Sequence, residues 1–172
     1  MAAPRLLRPV IAAVALALIG ACGGGDAKPA DKPADKPADK PAAVATGADS
    51  IGRQIYATCT TCHQANGQGI PLTYPPLAGS HIATGTPEIP IAIVLHGLNG
   101  PITVNGKVFN SIMTPWGPVF NDVQIAAVLT YVRSQWGNSA SAVTAEQVAK
   151  VRAATSARTT MWTWAELQAF KF

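Results

Sequence analysis

Apolar residues recur at helical spacing most clearly in FNDVQIAAVLTYVRSQWGN, residues 120–138. Ile125, Val128, Leu129, Val132 and Trp136 fall on one face, with polar residues between them. Asn121 and Gln124 form a capping-box pair, Phe120 and Ile125 are spaced as a hydrophobic staple, and Gly137 ends the run. DSIGRQIYATC, residues 49–59, predicts a short helix capped by Asp49 or Ser50. Gly52 and Tyr56 share a face of it, and a glycine there lets a second helix cross closely. TPEIPIAIVLHG, residues 86–97, predicts another helix, in which Pro90 near the start removes one backbone donor. ITVNGKVF, residues 102–109, predicts a hairpin turning at Asn105–Gly106. TAEQVAKVRAA, residues 144–154, predicts a short helix boxed by Thr144 and Gln147. The expected fold is mostly α, with short helices and one small hairpin.

The apolar share of the chain, 48%, overstates the core, because the N-terminal segments follow different rules. MAAPRLLRPVIAAVALALIGAC places Arg5 and Arg8 before an apolar run, Val10 to Ile19, too short to span a bilayer comfortably. Its ending, IGAC, resembles the lipobox of bacterial lipoproteins, which predicts a lipoprotein signal peptide over 1–21 and acylation of Cys22. The alternative is an ordinary secretory signal that leaves Cys22 as a thiol. AKPADKPADKPADKPA, residues 27–42, repeats a four-residue unit whose prolines block a regular helix and favour polyproline II. Residues 22–48 are therefore expected to be a lipidated cysteine and a disordered linker, reaching about 80 Å at roughly 3 Å per residue.

Charge narrows the function. Residues 49–138 carry only Arg53, Lys107 and Arg133 against Asp49, Glu88 and Asp122. No basic stripe for nucleic acid exists there, and electrostatic steering towards a charged partner is not available.

CTTCH, residues 59–63, carries the chemistry. Cys-x-x-Cys-His is the spacing for covalent attachment of haem c, with two thioethers one helical turn apart and an imidazole directly behind them. A zinc site needs four ligands, and His81 and His96 stand alone. A redox dithiol does not need the adjacent histidine. An export signal agrees with haem, because this attachment takes place outside the cytoplasm. One haem c is expected, and its iron needs a second axial ligand or an open face. Met113, in the Pro- and Gly-flanked stretch NSIMTPWG, is the first candidate, since core filling explains a methionine there poorly; Met161, His81 and His96 are the others. His96 is also a candidate for a propionate.

These features together resemble the class I c-type cytochromes over residues 49–138. The likeness rests on the Gly52/Tyr56 spacing before CTTCH, YPPLAG after it, the methionine loop and the helix AAVLTYVRSQWGN. It looks especially like the cytochrome modules of copper nitrite reductases and membrane alcohol dehydrogenases. The resemblance implies the cytochrome c fold of short helices around one haem. Cys59 and Cys62 would carry the thioethers, with His63 and Met113 ligating iron. Pro75 would accept from the His63 Nδ1–H, Leu77 would pack on the porphyrin, and Gly52 with Tyr56 would cross the helix bearing Leu129 and Tyr131. One departure is Thr114, which separates Met113 from Pro115 where the family commonly has proline at once.

The function expected is single-electron transfer with no catalysis, no small-molecule substrate and no nucleic acid, on the periplasmic side of a bacterial membrane. The partner would be an oxidase, a reductase or a dehydrogenase, either visited by a tethered carrier or joined permanently. Residues 139–172 lie outside the resemblance. Trp162, Trp164, Phe170 and Phe172 crowd the end of the chain, and read either as an extension folded back on its own domain or as an aromatic anchor for a partner.

Overall fold

The computed structural model describes residues 42–172; the expected signal peptide, Cys22 and most of the Lys-Pro-Ala-Asp repeat lie outside them. Among the described residues the order is α1 (Ala42–Tyr56), α2 (Thr60–His63), α3 (His81–Thr84), α4 (Glu88–His96), β1 (Ile102–Val104), β2 (Lys107–Phe109), α5 (Asp122–Ser134), α6 (Ala145–Ala154) and α7 (Trp164–Ala169). The expected hairpin is present, pairing Val104 with Lys107 around Asn105–Gly106. None of these helices is long and apolar enough to cross a membrane.

α1 differs from expectation at its start. Neither Asp49 nor Ser50 caps it, and residues 42–48, assigned above to the linker, are helical. Beyond the last proline of the repeat the sequence turns alanine-rich, and alanine is the strongest helix former. Ser50 sits in mid-helix, its hydroxyl donating to the Gly47 carbonyl at 2.8 Å.

α1 crosses α5 at Gly52, where a Cβ would strike the Ala127 carbonyl and the Tyr131 side chain. Tyr56 then packs on Tyr131 with ring centroids 5.4 Å apart. α5 starts with the expected reciprocal box of Asn121 and Gln124, but it ends before Trp136. That residue takes a left-handed backbone conformation, φ 54°, and its ring packs on Tyr56 at 4.9 Å. The same ring fills the space where a Cβ on Gly67 would lie. The apolar stripe therefore leaves the helix at its last member, because the turn after α5 is held by Asn138. The buried Asn138 amide donates to Leu77 and Val132 carbonyls and accepts from the Gly79 N–H at 2.8 Å.

The extension folds back. Val148, Val151, Trp162 and Leu167 are each at most 1% exposed and join one core with Ile91, Leu98 and Ile125. α6 and α7 each begin with a reciprocal box, Thr144 with Gln147 and Thr163 with Glu166. Arg133, 2% exposed, staples the extension to the helical domain: its guanidinium donates to the Ala83, Gly85 and Ser141 carbonyls.

The haem cleft

α1 ends at Tyr56, whose hydroxyl donates to the Gln64 carbonyl at 2.8 Å and so pins the far end of α2. Cys59 precedes α2, and its carbonyl accepts from the N–H groups of Cys62 and His63. One turn of helix thus sets both thiols on the same face with His63 beside them. Gln64 turns the chain away at φ 61°.

The His63 ring is fixed from behind. Its Nδ1 lies 3.0 Å from the Pro75 carbonyl. Burial lowers the His63 pKa, and this contact only partly opposes the shift. A neutral imidazole donating from Nδ1 presents a lone pair at Nε2, the form that binds a metal. Burial also pushes the Cys59 thiol above its ordinary value, and Cys62 adds to the rise against a contact from Thr58. That is opposite to the acidic thiolate of a redox dithiol. Among the described residues, no group of three or more His, Cys, Asp or Glu side chains converges as a metal cluster would require.

Cys59, Cys62 and His63 line a cleft of about 330 Å³ together with Pro75, Leu77 and Met113, within the range of ~300–1,000 Å³ usual for ligand and cofactor sites. Its other walls are largely apolar, including Ile93, Val94 and Leu98 of the α4 region and Val128, Leu129 and Val132 of α5. Two thiols, a neutral imidazole and a thioether around an apolar slot fit a haem by the chemistry of the donors. Met113 enters through a backbone bridge with Leu98, its N–H donating at 2.9 Å and its carbonyl accepting at 3.0 Å. The remaining candidates for iron do not line the cleft. His81 is exposed at the start of α3, and Met161 packs beside Gly97. His96 lies 2.8 Å from the Thr155 hydroxyl and meets Trp162 edge-on, so it contacts the extension.

Sequence reasoning missed Trp116, Phe109 and Ile112, which also line the cleft. Trp116 stacks on Phe120 at 5.4 Å, and its backbone N–H donates to the Val94 carbonyl. Aromatic residues in an irregular segment carry no periodicity that would reveal such a role. Asn138 was missed because a lone amide after a helix gives no pattern from which its three backbone contacts could be read.

A helical shell around an apolar slot, opened by Cys-x-x-Cys-His and faced by a methionine, defines a c-type cytochrome. Residues 50–136 match the family Cytochrome c, and the chain belongs to it. A cytochrome c-552 of Thermus thermophilus is 42% identical over 116 residues, covering 62% of this chain and 77% of that protein. The cytochrome c subunit of the quinone alcohol dehydrogenase of Gluconacetobacter polyoxogenes is 32% identical over 97 residues, 55% of this chain and 20% of that subunit. The fructose dehydrogenase cytochrome subunit of Gluconobacter japonicus is 35% identical over 104 residues, 56% of this chain and 21% of its own length. The chain is thus an electron carrier with one covalent haem c, matched by its single Cys59/Cys62 pair. The haem supplies reversible one-electron exchange; the protein holds it, orients it and excludes water.

Proposed function

We propose that this chain is a membrane-tethered carrier that moves single electrons between redox proteins on the periplasmic side of a bacterial membrane. Cys59 and Cys62 bear the two thioethers, and His63 and Met113 take the axial positions on iron. Pro75 fixes the imidazole, Leu77 packs against the macrocycle, and acylated Cys22 anchors the chain through the repeat. The observation that carries this reading is the meeting of His63, oriented by Pro75, with Met113 in one apolar cleft. A neutral thioether favours ferrous iron, so the pair gives a comparatively high potential.

The test is Met113→Ala. The oxidised wild type should show the weak far-red sulfur-to-iron band, and the variant should lose it, drop in potential and bind cyanide quickly. Retention of the band in Met113→Ala with its loss in Met161→Ala would reassign the ligand. For the anchor, Cys22→Ser should release a haem-loaded protein from membranes; a variant that stays bound would refute lipidation there.

A second reading is a permanent haem subunit of a dehydrogenase, nitrite reductase or terminal oxidase. The relatives named as dehydrogenase subunits favour it, as does the apolar rim of the cleft. Ile112, 57% exposed, lines the cleft, and Leu72, 82% exposed, stands two residues before Tyr74, which also lines it. Ser111 ties the two loops by donating to the Thr73 carbonyl at 2.8 Å. Stoichiometric co-purification with a catalytic subunit after salt washing of membranes would favour this reading; recovery alone would favour the carrier.

A further inference from the structure

The extension does more than cover the core. Residues 97–99, just after α4, are bridged on both sides through Leu98. On one side, the amide and carbonyl of Leu98 both pair with Met113, at 3.0 and 2.9 Å. On the other, the Trp162 N–H donates to the Gly97 carbonyl at 3.1 Å, and the Asn99 N–H donates to the Trp162 carbonyl at 2.8 Å. Alternate groups of one extended segment thus point to the methionine loop and to the extension. Without residue 162 the middle segment would be an edge held by one bridge, and such short pairings are weak on their own.

Gly97 shows how tightly the three segments meet. At φ 78° it carries no side chain, and a Cβ there would lie 2.5 Å from the Met113 carbonyl, 3.1 Å from Pro115 N and 3.2 Å from Met161 Cγ. The extension is itself braced at this point. Arg158 stands 3.5 Å over the Trp162 ring, and its guanidinium donates to the Thr160 and Met161 carbonyls and to Glu166. The Trp162 indole N–H is buried with no acceptor, so its ring is held by packing and by Arg158 rather than by hydrogen bonding.

We propose that Trp162, braced by Arg158, is a positioning residue for the Met113 ligand, acting through the backbone bridges of the segment Gly97–Leu98–Asn99. The proposal rests on Met113 being the axial ligand. Loosening residue 162 frees the middle segment, and the methionine loop opens more often.

The test uses the full-length, haem-loaded ferric protein and follows the sulfur-to-iron band and the rate of cyanide binding, which reports opening of the Met113 side. Trp162→Ala should bind cyanide about tenfold faster, as expected when two backbone hydrogen bonds are loosened, and should weaken the band. Arg158→Ala should shift both readouts in the same direction by less. Ile55→Ala, a buried change in the separate core cluster between α1 and α5 and not in the cleft lining, is compared at equal loss of thermal stability. Equal acceleration by Ile55→Ala, or wild-type rates in both Trp162→Ala and Arg158→Ala, would overturn the positioning role. If Trp162→Ala fails to fold, Arg158→Ala decides, and an unchanged rate overturns the proposal. Met113→Ala separates the two claims: if it keeps the band, the ligand assignment and the proposal fall together. If it loses the band while the extension variants do not respond, only the role of the extension falls.

Discussion

His63 and Met113 reach the same cleft from segments built on different principles. The His63 segment follows the crossing of two regular helices, α1 and α5, brought close by the absent side chain of Gly52 and locked by Tyr56, Tyr131 and Trp136. The hydrogen bond from Tyr56 to the Gln64 carbonyl then fixes α2. The Met113 segment has no helix. It leans on an irregular segment, Gly97–Leu98–Asn99, whose other side is bridged to the chain nearly fifty residues beyond Met113. One segment is held by two regular helices packed closely on each other. The other is held by single backbone bridges in irregular chain, and a segment with few packed contacts opens more readily in native-state fluctuations.

The sharpest way to break this comparison is to empty the support. Trp162→Ala removes the largest fully buried side chain and should cost about 3–5 kcal/mol in denaturant unfolding. Hydrogen exchange should accelerate at Leu98, Asn99 and Met113 before it does in α5. Uniform acceleration across both segments would mean that the extension and the helical crossing open as one unit. Gly52→Ala is the reciprocal change, forcing a methyl against the Ala127 carbonyl. It should cost ~1–3 kcal/mol by overpacking while leaving exchange at Leu98 and Met113 close to wild type. A Gly52→Ala melt equal to that of wild type would show that α1 can slide along α5 without penalty.

The helices and the haem motif were readable because each is a local pattern, and the helix that Gly52 crosses was named by the family resemblance. Cys59, Cys62 and His63 lie within five positions, the Asn121/Gln124 box within four, and Asn105–Gly106 dictates its own turn. Gly52 was readable because a helix has a known face. The bridges through residues 97–99 were not, since they are formed by backbone groups and leave no trace in side-chain type. The same holds for Trp136, which periodicity put on α5 and the Asn138 amide turned out of it. The aromatic end of the chain was ambiguous because interface anchors and core fillers have one composition; burial of Trp162 and Leu167 resolves it towards the core.

A smaller effect tests whether the seam between extension and α4 senses pH. Burial, then the nearby Arg158 and Arg152, hold the His96 pKa below its ordinary 6.5. The unfolded chain therefore binds a proton where the folded chain does not. Stability is full above about 6.5 and declines as pH falls below it, towards the lower folded value. The urea midpoint should drop more between about pH 7.5 and 5 in wild type than in His96→Gln, which keeps a donor for Thr155. Parallel slopes would remove His96 from the seam's response to acid.

Leu72 has the smallest expected effect, and its sign is reversed. It holds a left-handed backbone, φ 63°, with its side chain 82% exposed beside the mouth of the cleft. Asparagine tolerates that conformation and prefers water, so Leu72→Asn should raise stability by up to about 1 kcal/mol in a thermal melt. If the apolar rim meets a redox protein, the same change should slow electron delivery to it; a variant both stabler and equally fast would show that the rim is idle. A chain selected for heat resistance alone would drift to asparagine at this position, whereas one selected for throughput would keep the strained leucine. The loop tip is thus where durability and turnover pull apart.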